Sequence, residues 1–155
     1  MPALTNFDDP RYLTELAFKN IITQIGGFSN VYITADLTAK LHPCVLVRVT
    51  TNEEEIAPGT GIFKQRVELE LMQKLDKQTT EQSEQQIRSL RQCLYRNDTD
   101  PRPMRDLANR LSVAVTQPYT CLGVVPVDEP SVAQDAEVRI YSYKLTFDVH
   151  VTPTE

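Results

Sequence analysis

The stretch Phe63-Lys64-Gln65-Arg66-Val67-Glu68-Leu69-Glu70-Leu71-Met72 decides the fold. Successive side chains of a strand point to opposite faces, so Phe63, Gln65, Val67, Leu69 and Leu71 share one face and Lys64, Arg66, Glu68 and Glu70 the other. A helix would mix the two sets. The alternation from Ile62 to Met72 therefore predicts an antiparallel strand with one face buried and one face wet.

Upstream, Cys44 to Thr50 is apolar and β-branched enough for a buried strand. Asn52-Glu53-Glu54-Glu55 and Pro58-Gly59-Thr60-Gly61 lie between the two runs, and predict a hairpin with a long, acidic, glycine-closed loop. Downstream, Tyr119 to Val127 reads as one strand and Val138 to Val151 as another, with Tyr141, Tyr143, Leu145, Phe147, Val149 and Val151 on one face. Asp128 to Asp135 reads as a second long acidic loop. The last strand would run over ~40 Å at ~3.3 Å per residue, more than one small core requires. That length predicts that part of its aromatic face, at Tyr141 and Tyr143, with the Val132-to-Val138 approach to it, lies at a subunit contact.

Helical patterns flank these strands. Asp9-Pro10 is a helix start, with Asp as N-cap and Pro in the first turn. Leu13, Leu16, Ala17 and Ile21 follow at helical spacing, and Gly26-Gly27 stops the pattern. Thr79 with Gln82 fits a capping box ahead of the stripe Ile87, Leu90, Cys93 and Leu94. Met104, Leu107, Ala108 and Leu111 mark a further short helix. The order helix, two strands, helix pair, two strands predicts an α+β fold. Its sheet would be antiparallel, of about four strands, with the N-terminal helix and the central helix pair packed on one face. Val31-Tyr32-Ile33 offers room for a short extra strand. The 155 residues make one domain, 1–155, with 1–9 and 152–155 as flexible ends.

Composition narrows the function. The net charge of -5 disfavours a protein that grips bare nucleic acid, because phosphate binding wants a surplus of Lys and Arg. Arg88, Arg91, Arg96, Arg102, Arg105 and Arg110 form a local exception, read either as a solvated face or as a contact surface for an acidic partner. No apolar run approaches the ~20 residues that span a bilayer, and Met1 to Asp9 carries no secretory pattern. Cys44, Cys93 and Cys121 are too few and too far apart for a disulfide framework, and Cys44 and Cys121 read as small core residues.

Catalytic chemistry finds no purchase. His42 and His150 have no ligand-like neighbours, and Cys44 two residues after His42 lacks a third orienting group. Asn97-Asp98-Thr99-Asp100 lacks the glycine and closing glutamate of a calcium loop. Gly59-Thr60-Gly61 lacks the following Lys and Ser or Thr of a phosphate-binding loop. The reading is a non-enzymatic protein with no catalytic, metal or cofactor residues.

The succession of an N-terminal helix, the strand His42-Pro43-Cys44-Val45-Leu46-Val47-Arg48-Val49, an acidic loop ending Pro58-Gly59-Thr60-Gly61, the alternating strand, the helices, Tyr119-Thr120-Cys121-Leu122-Gly123-Val124-Val125-Pro126 and a final long strand resembles the tail-terminator and tail-completion (neck) proteins of tailed bacteriophages. The resemblance covers about Arg11 to Val151. It implies a homohexameric ring at the head-proximal end of a tail tube, a virion component assembled in the host cytoplasm. The ring would contact the tail tube protein and a head-completion neck protein, with DNA only in transit through the lumen and no membrane. Glu53, Glu54, Glu55, Asp128 and Glu129 would then face the lumen or the ring ends, and Arg96, Arg102, Arg105, Tyr141 and Tyr143 a subunit or partner interface. The segment Asn97 to Pro118 is longer than in compact members of that family. The alternatives are a head-completion or stopper protein of the same neck, and a host α+β protein-binding module.

Overall fold

The computed structural model describes residues 10–36, 40–54, 61–74, 80–96, 102–103, 107–114, 119–127, 131–135 and 140–153. Three helices, α1 (Pro10–Gln24), α2 (Thr80–Leu94) and α3 (Leu107–Ala114), accompany six strands: β1 (Val31–Ile33), β2 (Cys44–Glu54), β3 (Phe63–Lys74), β4 (Tyr119–Pro126), β5 (Ser131–Asp135) and β6 (Ile140–Pro153). The α+β class is as the patterns predict. The sheet differs: its order is β1-β2-β3-β6-β4, with β5 also on β6.

Two strands add to the expected four: β1, for which Val31-Tyr32-Ile33 left room, and β5, which was not foreseen. β1 pairs parallel to β2, with Val31 opposite Val45 and Ile33 opposite Val47, so the sheet is mixed rather than antiparallel. Three residues are too few for a period to show. β5 lies inside the expected acidic loop and pairs antiparallel with β6, Ser131 opposite Lys144 and Asp135 opposite Ile140. Val132 and Ala133 are its only apolar residues, so it carries no alternation to read. β4 and β5 together form one interrupted arm of a long hairpin whose other arm is β6.

The helices share one face with the core. Alternate residues Val45, Val47 and Val49 of β2, Val67, Leu69 and Leu71 of β3, and Tyr143 to Val151 of β6 join Phe18, Ile22, Leu90, Leu94, Leu107 and Leu111 in a single cluster. Phe147 is its centre. The ring is fully buried, 6.2 Å from Phe18 and 5.6 Å from Tyr95. Burying such a side chain contributes roughly 1.5–3 kcal/mol. The expectation that helices could not cover the β6 stripe is therefore corrected: Tyr143, Leu145, Phe147, Val149 and Val151 are all buried within the protomer. Tyr95, just beyond α2, supplies the cover that a count of helical stripes overlooked.

On β3 the core is bounded by two buried amides. Gln65 accepts from Thr14 Oγ1 and donates from Nε2 to Asn52 Oδ1 at 3.0 Å. Gln73 donates from Nε2 to Ser83 O at 3.1 Å and to Gln86 Oε1 at 2.7 Å. Gln73 Oε1 is buried with no hydrogen-bond partner among the described residues, whereas Glu15, 4% exposed on α1, is satisfied. It accepts from the Thr34 hydroxyl and, at 3.4 Å, from the backbone N–H groups of Thr34 and Val49. Val49 turns its N–H to the β1 side of β2, past the last pair Ile33–Val47, so no described strand reaches it, and it stands beside a bulge in the pairing of β2 with β3. Beyond that bulge β2 continues, so Asn52, Glu53 and Glu54 belong to the strand, not to the predicted loop.

Candidate assembly surface

The sheet face away from the helices is a lattice of opposite charges. Arg48 lies 3.4 Å from Glu70, and Asp148 holds both Arg66 at 3.2 Å and Lys64 at 3.7 Å. Partly exposed pairs of this kind contribute little and mark a wet surface. The face is no basic patch for phosphate.

The edges of the sheet differ from one another. At β1, the Val45 N–H donates to Asn30 O at 2.9 Å, which turns Tyr32 toward β2 and Ile33 outward. Asp36 then takes up Ile33: its Oδ2 accepts from the Ile33 N–H at 2.8 Å, and its own N–H donates to Ile33 O at 2.9 Å. Lys19 sits 3.6 Å from the same carboxylate, and Lys40 Nζ donates to Asp36 O at 2.8 Å. At β4, Pro126 and a register shift between Cys121 and Gly123 interrupt the edge. At β5 nothing of this kind stands among the described residues: Ser131, Val132, Ala133 and Gln134 are all exposed. Among the described residues, exposed large apolar side chains fall on both flanks. Leu41, whose N–H donates to the Tyr32 hydroxyl at 3.1 Å, is on the β1 side, and Leu122, Val125 and Val132 are on the β4 and β5 side. Ile25, just past α1, is exposed as well.

The residues singled out from sequence scatter over this frame. Glu53 is exposed near the end of β2, opposite Lys64, and Glu54 closes that strand opposite Phe63. Glu55, Asp128, Glu129 and Arg105 lie outside the described residues. The strand ends place the two acidic segments apart. One follows Glu54, whose partner Phe63 faces Val151, and the other falls between Val127, bonded to Thr146, and Ser131, opposite Lys144. That is roughly 20 Å along β6 at ~3.3 Å per residue. Arg96 and Arg102 do come together, on a short bridge where the Arg96 N–H donates to Arg102 O at 3.2 Å and Arg96 Nε to Pro103 O at 3.2 Å. Tyr143 is 7% exposed, and its hydroxyl accepts from Arg91 Nη1 at 3.0 Å. The Arg91 guanidinium also lies 4.2 Å from the centre of the Tyr95 ring. Tyr141 is half-buried, in register between Gln73 and Gln134.

Chemistry remains sparse. Among the described residues no three His, Cys, Asp or Glu side chains stand together as a metal would require, and no helix is long and apolar enough to cross a membrane. Burial pushes the Cys44 and Cys121 thiols up to about 11 and the Cys93 thiol to about 12, away from the thiolate a nucleophile needs. Burial, with Lys74 nearby, lowers the His42 pKa. A cleft of about 250 Å³ between the Gly26–Asn30 turn, Pro43, Gln86 and Ser89 has no titratable side chain in its lining. Sequence reasoning missed Asp36, Glu15 and β5. Asp36, three residues past an apolar triplet, was the signal available for a closed edge.

No family model matches the sequence, and no curated protein matches it.

Proposed function

We propose that the protein is a structural virion component, a tail-terminator or tail-completion ring at the head-proximal end of a phage tail tube. One observation carries the reading. The two flanks of a single sheet both expose large apolar side chains, Leu41 beside Tyr32 of β1 on one and Leu122 and Val125 of β4 on the other. A head-to-tail ring needs two different surfaces on each protomer, and single-sided exposure would fit a two-fold dimer or a one-partner module better. The charged open face of the sheet, rich in paired side chains, suits a wall along which DNA passes without sticking.

Negative-stain imaging of the purified chain tests the ring, which should show a central hole. Tail length tests the role: loss of a terminator gives overlong tails, whereas loss of a stopper leaves tail length normal. Compact monomers under every condition would end this reading in favour of a protein-binding module.

A further inference from the structure

The free edge of β5 has a defined hydrogen-bonding parity. The Val127 N–H donates to Thr146 O at 3.1 Å, so Thr146 turns its backbone groups toward β4 and β5, and so does every second residue of β6. Lys144, Ser142 and Ile140 follow that parity, which binds Ser131, Ala133 and Asp135 to β6. Val132 and Gln134 therefore present their N–H and C=O groups outward, and among the described strands β5 pairs β6 alone. Proteins ordinarily guard such an edge with Lys, Pro or a bulge. Here β1 is guarded by Asp36 and β4 by Pro126 and its bulge, while the Ser131–Gln134 run has no Lys, Arg or Pro.

We infer that β5 is a pairing edge for a second copy of this chain, antiparallel and two-fold, centred on Ala133. This register sets Val132 of one copy against Gln134 of the other. The residues with outward backbone groups then meet one another, and every exposed donor finds an acceptor. A shift by one residue would set outward groups against inward ones. Val132, 55% exposed, is covered in the same step. β1 is not the partner, because Ile33 already spends both backbone groups on Asp36. The contact goes beyond the ring reading: a head-to-tail ring uses unlike surfaces, and this one joins like to like, ring to ring or protomer to protomer.

The outward parity provides the test. Gln134→Pro removes an N–H that the protomer does not use, and edge strands tolerate Pro there. Val132→Lys with Gln134→Lys restores the usual guard without touching backbone geometry. Light scattering across a dilution series reads the mass, and circular dichroism reads the fold. The wild type should have an even-numbered mass that halves in both variants, with association weakened about 100-fold or more as several main-chain bonds are lost. Twelve copies falling to six supports both the pairing and the ring. Two falling to one supports the pairing and ends the ring. A mass unchanged in the folded lysine variant overturns the pairing and leaves the ring standing. A wild type that stays monomeric overturns both.

Discussion

The β1 edge and the β5 edge are both short, both at a margin of the sheet, and oppositely finished. β1 is three residues long and has a side chain devoted to it: Asp36 folds back and satisfies the outward groups of Ile33. β5 is five residues long and has no such residue among those described. The difference teaches that a place at the margin of a sheet does not by itself make an interface. A closed edge tells a partner strand nothing, whereas an open one still offers paired donors and acceptors. What counts is whether backbone groups are already spent.

The largest effect available strikes both edges at once. Phe147 lies at the centre of the core, on the strand that carries β5. Phe147→Ala should cost about 3–5 kcal/mol in urea unfolding. Both edges should melt in one transition. Separate loss of hydrogen-exchange protection at β5 would show that the two edges are not parts of one cooperative unit.

Alkaline pH separates the two flanks next. Burial keeps the Cys93 thiol protonated in the fold, up to about 12, while the unfolded chain gives up its proton near the ordinary thiol value. Its stabilisation is whole below that ordinary value and is lost as pH rises toward about 12. The slope is about 1.4 kcal/mol per pH unit for one thiol. Cys93→Ala should flatten the alkaline limb of a stability–pH curve, and an unchanged limb would count against it. Under native conditions alkylation should reach half-buried Cys121, on β4, before Cys44 and Cys93.

A milder change converts one edge into the other. Asp36→Ala strips the cap from Ile33 and should cost roughly 1–2 kcal/mol. It should also raise self-association by giving β1 the open character of β5. A variant that is less stable but no stickier would break the comparison, leaving Asp36 as a turn residue and nothing more. The smallest effect belongs to a site near neither edge's backbone: Glu53→Lys should shift stability by under about 0.5 kcal/mol. If the ring reading holds, the same change should impair DNA release from assembled particles.

The central strands were legible because their chemistry is periodic. Val67, Leu69 and Leu71 on β3 and Leu145, Phe147 and Val149 on β6 announce both their secondary structure and the face they bury. α2 was legible for the same reason, through Leu90, Cys93 and Leu94. What stayed hidden was held by single contacts rather than by pattern. The parallel pairing of β1 depends on a partner fourteen residues away, and β5 on a neighbour that is itself half of a hairpin. Glu15 carried no signal in the sequence, because its burial follows from backbone N–H groups left open where β1 ends, which no sequence period records. The assembly surface was the least legible part, since an open edge is defined by guards that are missing, and Ser131-Val132-Ala133-Gln134 resembles any loop until β6 lies beside it.

The position of β6 has a consequence in time. It is the last made of the described strands, yet it sits between β3 on one side and β4 with β5 on the other. Phe63 waits for Val151, and Lys74 for Ile140. Pairings so distant in the chain close late and slowly, because the loop entropy is spent before the contact is gained. A nascent chain on the ribosome can carry the β2–β3 hairpin, but β3 remains a bare edge until the final strand emerges. Chains cut short before Ile140 would expose that edge and should be found in aggregates or cleared by proteolysis, so emergence of β6, rather than of the early helices, sets when a subunit becomes competent to assemble.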